Sequence, residues 1–191
     1  MTINITKQQI DIALSLIEDD LKKYYWIQNN LNNIDVSRDR IFQKKYNGFY
    51  KVRRNHFWRQ HYFSILERAK FRGITFEKAM DEILRQTGRY EASFASKLVA
   101  TVNPEFPVID KYVLKNVGLR LPYYSANDKK ARIIEVYEIL VNKFQKFMQT
   151  EIYVFLVKRF AEKFPWANIN PIKMVDLVLW KSRSLNHPEA P

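Results

Sequence analysis

No cysteine occurs in the 191 residues. That absence excludes disulfides, thiolate zinc sites, a catalytic thiol and any iron–sulfur cluster ligated by this chain. Histidine is nearly as scarce, and three scattered imidazoles make no ligand set, so neither a metal nor another cofactor is expected. With only four glycines there is no Gly-rich phosphate loop and no flexible linker. Nowhere does an apolar run reach the roughly 18 residues of a membrane-spanning helix. The opening Met1 Thr2 Ile3 Asn4 Ile5 Thr6 Lys7 lacks the apolar stretch of a signal peptide. A soluble, cytoplasmic chain with no membrane partner is therefore expected. Acidic residues are also few, 20 against 32 Lys+Arg, which leaves a net charge of +12.

What is present is apolar and aromatic. Hydrophobic residues at 47%, with 13 Phe, 11 Tyr and 4 Trp, can bury enough surface to offset the entropy of ordering. A chain of this length suits one domain, expected over residues 1–183, with a flexible tail at 184–191.

The positive charge is concentrated. Between Arg38 and Arg72 stand Arg38, Arg40, Lys44, Lys45, Lys51, Arg53, Arg54, Arg59, Arg68, Lys70 and Arg72, opposed only by Asp39 and Glu67. Interleaved with them are Phe42, Tyr46, Phe49, Tyr50, Phe57, Trp58, Tyr62, Phe63 and Phe71. Phosphates release counterions to Lys and Arg, and unstacked bases lie on aromatic rings, so this composition suits nucleic acid. The structural alternative is a solvated basic face over an aromatic core. A membrane-surface helix fits less well, because the rings recur at core spacing rather than along one lipid-facing stripe.

Apolar spacing is helical almost throughout, which predicts an all-α fold. Thr6 and Gln9 form a capping box before a long helix through Tyr25. Asn29, Asn30, Asn32 and Asn33 mark its end, and Ser37 is the expected cap of a short helix stopping at Asn47 Gly48. Asn55 opens a helix with Phe57, Trp58, His61, Tyr62, Ile65, Leu66 and Ala69 facing inward, ended by Gly73. Thr75 caps the next, stopped at Gly88, and another runs from about Ser93 to Asn103 Pro104. Asp110 is placed to accept the free amides of a short helix closed by Gly118. After the loop Leu121 Pro122 Tyr123 Tyr124, long helices begin near Ser125 to Asp128 and at Thr150, and Asn170 Pro171 starts the last.

Between Tyr90 and Leu121 the residues carry a resemblance. Ala92 Ser93 Phe94 Ala95 Ser96 Lys97 is similar to the tight Pro-Gly-apolar-Gly-x-Lys hairpin of the helix-hairpin-helix DNA glycosylases, the family of endonuclease III and 8-oxoguanine glycosylase. Phe106 Pro107 Val108 Ile109 Asp110 Lys111 Tyr112 Val113 resembles the Pro-containing loop and the Asp-x-x-Val that follow it there, and Lys115 and Gly118 Leu119 continue the likeness. It covers about thirty residues of the chain. Ser93 and Ala95 replace the glycines that bring that hairpin close to phosphate, and 13 positions from Lys97 to Asp110 are fewer than usual in that family.

The resemblance implies a glycosylase or glycosylase/AP lyase acting on double-stranded DNA with a damaged or modified base. Lys97 would be the nucleophile at the sugar and Asp110 the carboxylate that orients the amine or balances charge. Arg53, Arg54, Arg59, Arg89, Ser93, Ser96 and Lys111 are the expected DNA contacts, and Trp58, Tyr90 and Phe94 line the expected base pocket. Read without the resemblance, Asp110 is a helix cap and Lys97 a solvated cation. A binding module of the same fold without chemistry is one alternative. Another is a ribonuclease, because Arg54 Asn55 His56 Phe57 Trp58 Arg59 Gln60 His61 resembles the HEPN signature, in which a helical Arg54 and His61 would share a face.

Overall fold

The computed structural model describes residues 3–123 and 125–182, so Tyr124 of the expected loop and the tail at 184–191 lie outside the described residues. The described residues form ten helices and no strand. In chain order these are α1 (Lys7–Leu16), α2 (Glu18–Leu31), α3 (Arg40–Tyr50), α4 (His56–Arg72), α5 (Phe76–Thr87), α6 (Ala92–Val102), α7 (Lys111–Asn116), α8 (Lys129–Phe147), α9 (Glu151–Lys163) and α10 (Pro171–Lys181). The all-α class expected from the apolar spacing is what the structure has.

Where a polar residue stands ready to take up free amides, the helix begins at the expected place. Thr6 and Gln9 make the reciprocal box, and Asn55, Thr75, Asp110, Thr150 and Asn170 each accept an amide of the first turn. Three boundaries differ. The long first helix breaks at Ile17, where the Ser15 hydroxyl donates to the Ile12 carbonyl at 2.7 Å and competes with the backbone ladder. Asp39, not Ser37, caps α3, because Ser37 commits its hydroxyl to Asp35 at 2.6 Å while Asp39 Oδ1 takes the Phe42 amide at 2.7 Å. That same helix continues through Gly48 to bury Phe49 and Tyr50, and ends at a left-handed Lys51.

The chain divides into two compact units, residues 19–104 and residues 1–18 with 105–191. The boundary at Glu18 falls just past the helix break.

In unit 2 (19–104), α5 packs on α4 and α6, and α4 on α6. Phe42, Tyr46, Tyr62 and Phe63 are at most 1% exposed and form its aromatic centre. Glu67 accepts the Val36 amide at 2.8 Å while the buried Lys70 ammonium bonds both Glu67 and the Ile34 carbonyl, pinning the 34–36 loop to α4. Phe57 departs from expectation: it is 62% exposed, since Trp58 and Tyr62 already occupy the inner face of α4.

In unit 1, α1 lies on α9 and α10, and α10 also touches α7. Its most unusual feature is a buried ion pair, Lys173 Nζ to Asp176 Oδ2 at 2.9 Å, with both side chains no more than 6% exposed. The Asp176 carboxylate also accepts the Val108 amide at 3.2 Å, and the Tyr137 hydroxyl donates to the Pro107 carbonyl at 3.2 Å. Thus α8 and α10 together hold the segment that leads into Asp110. Burial pushes the Asp176 carboxyl up, opposed by Lys173 and the Val108 amide.

Removing one member of that pair strands a buried charge, whereas removing both charges does not. Lys173→Met and Asp176→Asn are each expected to lower unfolding free energy by about 3–5 kcal/mol. The double variant, in which Asn still accepts the Val108 amide, should recover most of the loss. Urea denaturation of all four proteins measures this coupling.

Candidate functional site

The residues with chemistry gather most densely in unit 2, where α3, α4 and α6 meet. Tyr46 and Tyr62 join hydroxyls at 2.8 Å, Tyr46 and Tyr50 each lie 3.3 Å from the Thr101 hydroxyl, and Tyr62 donates to the Phe94 carbonyl at 3.1 Å. Thr101 in turn donates to the Lys97 carbonyl at 2.7 Å. Each hydroxyl of the network thereby has a partner, as burial of such groups requires. Burial, with the neighbouring tyrosines second, holds Tyr46 well above the usual phenol range, and burial does the same to Tyr62.

Lys97 leaves this network on the α6 side. Its ammonium donates to the Tyr50 carbonyl at 3.1 Å and lies 5.0 Å from the centre of the Phe94 ring. The Arg54 guanidinium sits 5.2 Å from the centre of the same ring and 5.9 Å from the Trp58 ring. Trp58 stacks on Tyr62 with centroids 5.0 Å apart and meets Phe94 at 4.7 Å. Glu91, at the N-cap of α6, sends both carboxylate oxygens to Arg54 Nη2, at 2.7 and 2.9 Å. Of the expected site residues, Arg54, Trp58, Phe94 and Lys97 are therefore brought together.

The others are placed elsewhere. Asp110 belongs to unit 1, where its Oδ1 accepts the Tyr112 amide at 2.8 Å as the cap of α7. Lys111 follows it, exposed, 5.8 Å from the Tyr112 ring centre. Lys97 and Asp110, thirteen residues apart, are thus built into different units. Arg53 and Arg89 are exposed, Arg59 and Tyr90 are half-buried, and Ser93 is half-buried with its carbonyl taking the hydroxyl of the buried Ser96 at 3.0 Å.

Ala92 to Lys97 is helical throughout, the opening of α6 rather than a hairpin turn. The reversal of the chain falls just upstream, at Gly88 in a left-handed conformation. Lacking the two glycines, this stretch has side chains that favour helix over a tight turn.

The chain matches no protein-family model, no curated protein and no solved structure.

The ribonuclease alternative needs Arg54 and His61 on one helix face. Arg54 lies outside α4, ahead of the Asn55 cap, and is engaged by Glu91, whereas His61 packs against the Phe57 ring at 4.4 Å. The shared-face geometry is absent because Asn55 accepts the Trp58 amide and starts the helix after Arg54. Sequence reasoning missed Glu91, Tyr50 and Thr101. Glu91 had a legible signal, a lone carboxylate beside Arg89 at a helix start, but its pairing with Arg54 spans 37 positions. Among the described residues no His, Asp and Glu group suits a metal, and no helix is long and apolar enough to cross a membrane. An open cleft of about 210 Å³ in unit 1 is lined by Asp11, Leu14, Arg159, Glu162 and Lys163, none of them an expected site residue.

The tyrosine network has a pH signature. A phenol whose folded pKa lies above its unfolded value of 10.0 stabilises the fold fully below pH 10, and that stability is lost as pH rises beyond it. Unfolding free energy should therefore fall with pH above 10. Tyr62→Phe should show a shallower fall, by about one proton in slope, on top of a pH-independent loss of about 1–3 kcal/mol from the orphaned Tyr46 and Phe94 groups. Denaturant titrations between pH 8 and 11 measure both.

Proposed function

We propose that this protein binds double-stranded DNA through the basic segment of unit 2. One observation carries the reading: along residues 38–72 rings and cations are sorted. Phe42, Tyr46, Phe49, Tyr50, Trp58, Tyr62 and Phe63 are buried, while Arg40, Lys44, Lys51, Arg53 and Arg72 are exposed with no carboxylate partner among the described residues. Exposed guanidinium and ammonium groups left uncompensated by the protein attract phosphates and release their counterions. Phe57 and Phe71, 62% and 78% exposed, stand among them.

Base excision is the second reading, favoured by the half-buried Lys97 amine beside the Phe94 ring, which meets Trp58, and by the resemblance around it. In that chemistry the Lys97 ammonium first gives up a proton to solvent, and its neutral nitrogen bonds to the sugar's anomeric carbon as the glycosidic bond breaks and the base leaves with a proton taken from solvent. Ring opening then gives an imine, and elimination breaks the strand. The amine must first leave the Tyr50 carbonyl.

Binding to a labelled duplex should weaken steeply with salt. Lys51→Gln with Arg53→Gln should reduce the log–log slope by about 0.9 for each phosphate no longer neutralised. Fluorescence anisotropy at several salt concentrations reads it, and a slope unchanged in the double variant overturns the interface. Borohydride is expected to trap the wild type, but not Lys97→Ala, on duplex carrying an abasic site. Equal trapping of the two, or none by the wild type, removes Lys97 as a nucleophile.

A further inference from the structure

Arg54 is only partly used. Both oxygens of Glu91 bond the one nitrogen Nη2, so the carboxylate does not take the parallel two-nitrogen fork that an untethered oxyanion adopts on a guanidinium. Arg54 Nε is buried and has no hydrogen-bond partner. Beneath the guanidinium, Trp58 is 7% exposed, and its Nε1 is likewise buried and unpartnered. Two donors on neighbouring side chains, each buried and each without an acceptor, are uncommon in folded proteins.

Glu91 spends its side chain on Arg54 rather than on its own helix. It occupies the N-cap of α6 but makes no capping bond, and its side chain turns instead to Arg54. Both of its carboxylate oxygens meet Nη2. The Phe94 ring has two cations against it, Arg54 and Lys97, and Glu91 binds the first of them.

We propose that Arg54 and Trp58 form a binding site for a phosphate oxyanion, and that Glu91 occupies it as an internal stand-in until a phosphate displaces it. The arriving oxyanion takes Nη2 from Glu91 and supplies the acceptors that Nε and the Trp58 indole lack. This rests on the nucleic-acid reading for the source of the phosphate, a backbone diester, and adds to it an acidic residue that weakens binding. Glu91 thus acts on affinity as a competitor.

Two measurements separate the site from its source. In the first, inorganic phosphate is added to ¹⁵N-labelled full-length protein and the Trp58 indole resonance, assigned with Trp58→Phe, is followed against matched sodium chloride. Saturable shifts are expected in the wild type, with about tenfold tighter apparent binding in Glu91→Gln and none in Glu91→Gln with Arg54→Gln. If Glu91→Gln fails to fold by circular dichroism, Glu91→Asp, one methylene short of Nη2, replaces it with the same expectation. An indole that responds to phosphate no more than to chloride in the wild type and in the variant overturns the site.

In the second, duplex binding is measured across salt. The Glu91→Gln variant should bind duplex about tenfold more tightly at a given salt, because no carboxylate has to be displaced from Arg54, and Glu91→Gln with Arg54→Gln should lose that gain and lower the log–log slope by about 0.9. A phosphate-responsive indole with duplex affinity unchanged in Glu91→Gln keeps the site and rejects the DNA backbone as its source. A wild type that binds no duplex overturns the broader reading while the phosphate titration still decides the site.

Discussion

Three tyrosines, Tyr46, Tyr50 and Tyr62, are buried together with their hydroxyls, and the arrangement of unit 2 depends on giving those hydroxyls partners. A buried hydroxyl without a hydrogen bond costs a substantial part of a small protein's stability. The partners come from α6: the Thr101 hydroxyl for two of them and the Phe94 carbonyl for the third. That requirement sets the rotation of α6 against α3 and α4. It therefore decides which α6 side chains face inward and which emerge beside Arg54. Lys97 and Phe94 lie where they do because Thr101, one turn beyond Lys97, is committed to the tyrosines.

Once the rings take the interior, the cations that alternate with them along residues 38–72 have only the surface. Burying a guanidinium or ammonium unpaired is prohibitive, and Lys70 is taken inside with Glu67 and a carbonyl to receive it. The outcome is exposed cations over an aromatic core. Solvation of the cations follows from it, and the proposed attraction of phosphate rests on it. Arg54 is the intermediate case, flanked by rings, held by a carboxylate and left with an unused nitrogen.

Unit 1 follows the same logic with one charged pair. Asp176 satisfies Lys173 and the Val108 amide together, and Tyr137 takes the adjacent carbonyl. The backbone entering α7 is clamped from two helices, and Asp110 is presented as its cap. A carboxylate in that role is structurally sufficient, while its proximity to Asp176 gives it an electrostatic connection to the buried pair.

What could be read from the residues in order was local. Helix type followed from apolar spacing, and starts at Thr6, Asn55, Thr75, Asp110, Thr150 and Asn170 followed from side chains that reach their own first turn, because those bonds span two or three positions. Where two local bonds compete, as at Ser15 and at Ser37 against Asp39, the order of residues did not settle the boundary. The clustering of positive charge with aromatic rings was equally visible. The partners of Arg54, Lys97 and Thr101 were not, since Glu91 lies 37 positions from Arg54 and Tyr50 lies 47 from Lys97. Composition and short-range capping belong to the chain itself. The placing of Lys97 and Asp110 in separate units and the grip of Glu91 on Arg54 were decided by packing, because only the folded chain determines which distant groups must satisfy one another once water is excluded.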